Sequence, residues 1–221
     1  AGKLGGQPAA TPSIFTSLFR HALPQARPSY AARLMVLSEL PRLMPHVTRG
    51  SAEWTITLRA EATRLLHVLL VYVEAGALQY LPAVLQAMRS ALGDDDSRVA
   101  ARALAAAHVL GVNLPAKHWA PFVAEALAAE RLSTAQRATV LQVLDALLSA
   151  AGTAQQPAEQ AIVQLVAAAL GRVELLQSQP QPELLATVHS LVLWGRQQCS
   201  SVAADLLLLL LTVHAAERGR A

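Results

Sequence analysis

Residues Tyr80 to Gly111 read YLPAVLQAMRSALGDDDSRVAARALAAAHVLG, two helical patterns separated by a break. In the first, Leu81, Val84, Leu85, Met88 and Leu92 recur at three- and four-residue spacing, on one side of a helix over 80–92. Gly93-Asp94-Asp95-Asp96 interrupts it: Gly ends a helix at little cost, and Asp caps the free N–H groups of the next one. Ser97 to Gly111 then places Val99, Ala103, Ala106 and Leu110 on one face. Each helix has a single apolar stripe to bury, so each needs a neighbour. The expected unit is an antiparallel pair.

That unit recurs. Leu40-Pro41-Arg42-Leu43, Leu81-Pro82-Ala83-Val84 and Ala120-Pro121-Phe122-Val123 are similar elements, with prolines 82 − 41 = 41 and 121 − 82 = 39 residues apart. A two-helix repeat of about 40 residues is the signature of HEAT arrays. The predicted fold is all-α, an α-solenoid of HEAT-type antiparallel helix pairs.

Outward from the middle unit, Tyr30–Val47 is expected to pair with Trp54–Val73, Lys117–Glu130 with Thr134–Ala150, and Pro157–Gln177 with Pro182–Gln198. The units span about 28–74, 78–112, 117–151 and 157–198, followed by a terminal helix over 201–217. A short opening helix is expected over Ser13–Leu23, so that the solenoid covers 13–221. Residues 1–12, opening AGKLGG without a Met, read as a disordered tail or an expression remnant. The chain is expected to be a piece of something longer. QSQPQP, Gln177 to Pro182, reads as an exposed connector.

Composition fits this fold. The chain is 53% hydrophobic and 15% charged, which excludes extended disorder. Aromatics are only 4%, and the Ala- and Leu-rich remainder favours helices over strands. Cys199 is the single cysteine, so neither an internal disulfide nor a Cys-based zinc site is available; a reducing compartment is the simpler expectation. The longest apolar run, Leu206–Val213, is too short on its own to span a membrane. Net charge is +3, and residues 1–64 hold eight basic against three acidic side chains. Recognition of nucleic acid would need a denser basic stripe.

No catalytic constellation is present. The seven histidines form no HxxxH or HExxH pair, and GxSxG, P-loop and GxGxxG motifs are missing. His67, His108, His189 and His214 read as partly exposed helical residues. Asp94–Asp96 lacks the spaced ligands of a calcium loop and is better placed to cap a helix. The expected protein is not an enzyme, and no cofactor or metal is implied.

What remains is arginine, at sixteen of the eighteen basic positions. Arg suits bidentate carboxylate recognition and protein interfaces, although a compositional bias would produce the same excess. Arg59, Arg64, Arg98, Arg102 and Arg137 all fall on second helices, which usually line the concave side of such arrays. They are the candidate partner-binding residues. The final helix is apolar almost all the way round, so Leu206, Leu207, Leu210 and Leu211 are the candidates for self-association or for docking further chain.

Trp54 to Val112 also resembles the HEAT repeats of dynein axonemal assembly factor five. The correspondence lies in Trp54-Thr55, Arg64-Leu65-Leu66, Val68-Leu69-Leu70, Tyr80-Leu81, Val84-Leu85 and the Asp94–Asp96 turn. It covers about a quarter of the chain and is architectural elsewhere. The resemblance implies a non-enzymatic cytoplasmic factor for pre-assembly of axonemal dynein arms, acting with chaperones and contacting intermediate or heavy dynein chains. The alternatives are a HEAT adaptor in transport or phosphatase scaffolding and, from another class, a nucleic-acid-binding solenoid.

Overall fold

The computed structural model describes residues 27–129, 132–175 and 182–218. The expected helix over 13–23, the first twelve residues and most of the QSQPQP connector lie outside them. Among the described residues there are nine α-helices and no strand: α1 (Tyr30–Gly50), α2 (Ile56–Val73), α3 (Leu81–Leu92), α4 (Ser97–Asn113), α5 (Ala116–Ala128), α6 (Thr134–Thr153), α7 (Gln160–Leu175), α8 (Pro182–Gly195) and α9 (Ala203–Arg218). Two 3-10 segments, Glu74–Tyr80 and Arg196–Val202, join α2 to α3 and α8 to α9.

Three helices, α1, α4 and α6, start at side-chain caps. Ser29 accepts from the Ala32 N–H, and Asp96 from that of Arg98. Ser133 and Gln136 form a reciprocal capping box at α6, satisfying two otherwise orphaned donors. The turns after the second helices repeat as well. Glu74, Gln155 and Arg196 each stand at positive φ (48°, 53° and 45°), while Leu114 ends α4 in extended conformation. Their spacings are 114 − 74 = 40, 155 − 114 = 41 and 196 − 155 = 41.

The helices form two layers. α2, α4, α6 and α8 contact one another in succession, and α1, α3, α5, α7 and α9 lie across them. The core runs between the layers from Leu40 and Met44 through Leu66, Met88 and Leu110 to Trp119, Leu144 and Leu191, all buried. Polar groups tie successive units together. Gln156 donates to the Gly111 and Val112 carbonyls at 2.9 and 2.8 Å, satisfying two carbonyls in the last turn of α4. Trp194 donates to the Gln156 carbonyl, and Thr187 to that of Leu141. At Gly111 an added Cβ would lie 2.6 Å from the Leu147 carbonyl oxygen, so α4 and α6 meet where only glycine fits.

Several expectations change. α2 begins at Ile56, after Thr55 in extended conformation, and Trp54 is left 86% exposed. Leu34 in α1 and Leu58 and Leu65 in α2 stand at helical spacing for a buried stripe yet are exposed, while Leu40, Leu66 and Leu70 are buried instead. These helices are apolar on more than one side, so spacing alone does not select the face. In α9, Leu206 is buried with Leu209 and Val213 against α7, so it leaves the expected self-association face; Leu207, Leu208, Leu210 and Leu211 remain exposed. His67 is buried rather than partly exposed. Two continuous helical stretches, Ile56–Leu92 and Pro182–Ala215, are long and apolar enough to cross a membrane by length and composition, which the short run Leu206–Val213 alone did not suggest. Here both are bent at a 3-10 segment and contribute helices to both layers.

Candidate partner-binding surface

The five candidate arginines meet different fates. Arg137, in the first turn of α6, is buried, with one bond from its guanidinium to the Ala129 carbonyl at 3.4 Å and its Nε unsatisfied. Burial removes it from any contact surface. Arg59 reaches from α2 to Asp94 in the α3–α4 turn, and its Nη1 donates to the carbonyls of Glu53 and Trp54 at 3.0 and 2.8 Å. It holds three chain segments together, and its hydrogen bonds hold the Asp94 carboxyl below the usual carboxylate range. Arg59 is a structural clasp.

The other three are exposed, on helices α2 and α4, which contact each other directly. Arg64 pairs with Glu61 at 2.8 Å and Arg98 with Asp96 at 2.7 Å, both within their own helix or its cap. Arg98 helps to pull the Asp96 carboxyl down to about 2, as does the backbone N–H it caps. Arg102 forms no ion pair among the described residues. It faces His67, whose imidazole is driven down to about 4 by burial and, secondarily, by the Arg102 charge. The unpaired Arg102 is the centre of the arginine surface that survives, and the neighbouring helix α2 exposes the apolar side chains Leu65 and Val68.

The described residues carry neither a metal-ligand cluster nor an exposed thiol. No group of three or more His, Cys, Asp or Glu side chains could hold a metal among them. Cys199 is buried, its Sγ 3.6 Å from the Leu191 carbonyl, and burial pushes the thiol pKa up, away from nucleophilic character. The acidic turn is occupied by its own chain: Asp94 accepts from the Asp96 N–H and holds Arg59, while Asp96 caps α4.

A feature that helical spacing did not reveal lies on the other layer. α3 leans on α6 more than on α5, leaving an apolar slot of about 120 Å³ between α3 and α5. It opens past Gln86 and Arg89 onto a shelf of about 310 Å³ beside the start of α6. Arg89 stands on a first helix, outside the set chosen from second helices, and only the spread of α3 from α5 makes it part of a surface.

Residues 20–217 match the family model described as dynein axonemal assembly factor 5, HEAT-repeat domain. No curated protein matches the chain.

Proposed function

Because the chain belongs to the dynein axonemal assembly factor 5 HEAT-repeat family, we propose that it is a non-enzymatic scaffold that holds dynein subunits during cytoplasmic pre-assembly of axonemal arms. The observation carrying this reading is the family match across nearly the whole solenoid, joined to a two-layer stack whose adjacent helices α2 and α4 expose Leu65 and Val68 on one and an unpaired Arg102 on the other. Such a face suits a protein segment carrying a carboxylate and apolar side chains. Nucleic acid fits less well, since Arg59, Arg64 and Arg98 already hold carboxylates of this chain and Arg137 is buried.

The partners expected are intermediate or heavy dynein chains and chaperone machinery. A second contact, between copies of the chain, is expected at Leu207, Leu210 and Leu211, joined by Leu208. Affinity purification from ciliated-cell cytoplasm, followed by mass spectrometry, tests the main reading. Dynein chains should co-purify with the parent protein and be depleted at least fivefold with Arg64→Glu, Arg102→Glu. Recovery of transport cargo or phosphatase subunits in their place would assign the chain to general adaptor work instead.

A further inference from the structure

The slot between α3 and α5 has a composition that calls for a particular occupant. Its walls are Leu85, Val123, Val140 and Val143, with Phe122 43% exposed at the rim. At its mouth Arg89 is the only charged residue among the described residues lining either the slot or the adjoining shelf. The Arg89 Nε is buried without a hydrogen-bond partner, and the side chain forms no ion pair among the described residues. Arg89 is half-buried, and a guanidinium N–H turned away from water without an acceptor is costly, because desolvation is offset only by pairing. Arg59, by contrast, is fully engaged by Asp94 and two carbonyls. Arg89 is therefore held ready for an acceptor from outside.

We propose that this slot docks a protein segment presenting an aliphatic side chain and a carboxylate within a few residues of each other, the aliphatic group filling the slot and the carboxylate pairing with Arg89. Charge complementarity selects the carboxylate: it is the ligand that meets a planar guanidinium with two oxygens. Size selects the aliphatic group, since a cavity of about 120 Å³ admits one Leu- or Met-sized side chain and not a packed helix face. Desolvation also lowers the Arg89 pKa, and an arriving carboxylate would relieve that cost. The site lies on the layer opposite the α2–α4 arginines, so one chain could hold two segments at once. The inference rests on the chain binding protein segments and is independent of their being dynein.

The probe is a synthetic array of acetylated, amidated octapeptides on a Ser/Ala background. One Leu and one Glu are walked through every spacing, with Gln-for-Glu and Ser-for-Leu counterparts. The parent protein should favour peptides with Leu and Glu at most four residues apart and bind their Gln and Ser counterparts at least tenfold more weakly. Arg89→Gln should lose the preference for Glu over Gln. Ala126→Leu, which fills the slot from α5, should lose binding tenfold or more. Equal binding of Glu and Gln peptides by the parent protein overturns the proposal without reference to any variant, as does equal binding by parent and Ala126→Leu. If peptide recognition follows this pattern while dynein chains fail to co-purify, the slot stands and the dynein reading falls.

Discussion

The Arg59 guanidinium lies against the Asp94 carboxylate, with Nη2 and Oδ1 3.2 Å apart, and so joins α2 to the turn between α3 and α4. The Asp94 side chain is only 3% exposed. The same guanidinium holds the chain entering α2 through the carbonyls of Glu53 and Trp54. Removing the carboxylate leaves that guanidinium and its carbonyl partners without their anchor. Asp94→Ala is expected to lower the unfolding midpoint clearly, and Arg59→Lys to keep the charge yet recover only part of the loss, because an ammonium cannot reproduce the fork. Thermal unfolding of the parent and both variants is the check. An unchanged midpoint for Asp94→Ala would remove the clasp from the account.

Acid should weaken the fold through His67. Its pKa falls from 6.5 in the unfolded chain to about 4 in the fold, so only the neutral ring is accepted inside. Stability is complete above pH 6.5 and is lost as pH falls from there toward 4, by at most about 3 kcal/mol. His108, also lowered by burial, adds in the same direction, whereas burial raises the Asp145 carboxyl and works the opposite way. Comparing urea denaturation of the parent and His67→Leu at several pH values isolates the residue. The variant should show a shallower loss over this window, and identical slopes would contradict a neutral His67.

Gly111→Ala tests the close approach of α4 to α6. Alanine is intrinsically better in a helix by about 1 kcal/mol. Here its Cβ would meet the Leu147 carbonyl oxygen at 2.6 Å and the Ala150 Cβ at 2.8 Å. Overpacking of this kind costs about 1–3 kcal/mol, so the expected net result is destabilisation against the propensity. A stabilised variant in chemical denaturation would show that the helices can separate freely.

Leu110 is 1% exposed at the centre of the array. Leu110→Ala should cost about 2–5 kcal/mol. Because each unit is stabilised by its neighbours, hydrogen exchange should accelerate in α2 and α6 as well as in α4. Exchange confined to α4 would argue against coupling between units.

On α9, Leu207 and Leu211 are 60% and 64% exposed, whereas Leu206 is 5% exposed. Leu207→Glu, Leu211→Glu should leave folding intact and reduce self-association in sedimentation equilibrium; Leu206→Glu should unfold the end of the array by burying a charge. A parent that stays monomeric at high concentration would rule out the face as a contact between copies.

Sequence alone determined the helical class and the punctuation of the chain. Local chemistry decides both: Gly93 and Asp96 stop one helix and start the next, and Ser133 with Gln136 opens α6, without help from distant residues. The period of about 40 follows from the same local signals, and the resemblance over Trp54–Val112 pointed to the family that the match over 20–217 shows. Tertiary structure decided which side of each helix faces inward and which charges are free. In helices as rich in leucine as α2 and α9, every face is a plausible core, and only the neighbouring helix selects Leu66 over Leu65 or Leu206 over Leu207. Arg137 and Arg102 look alike in the sequence, yet one is buried and the other unpaired at the surface, because burial depends on the layer packed above. The slot at Arg89 arises from α3 leaning on α6 instead of α5, a relation between helices more than thirty residues apart that no local pattern encodes.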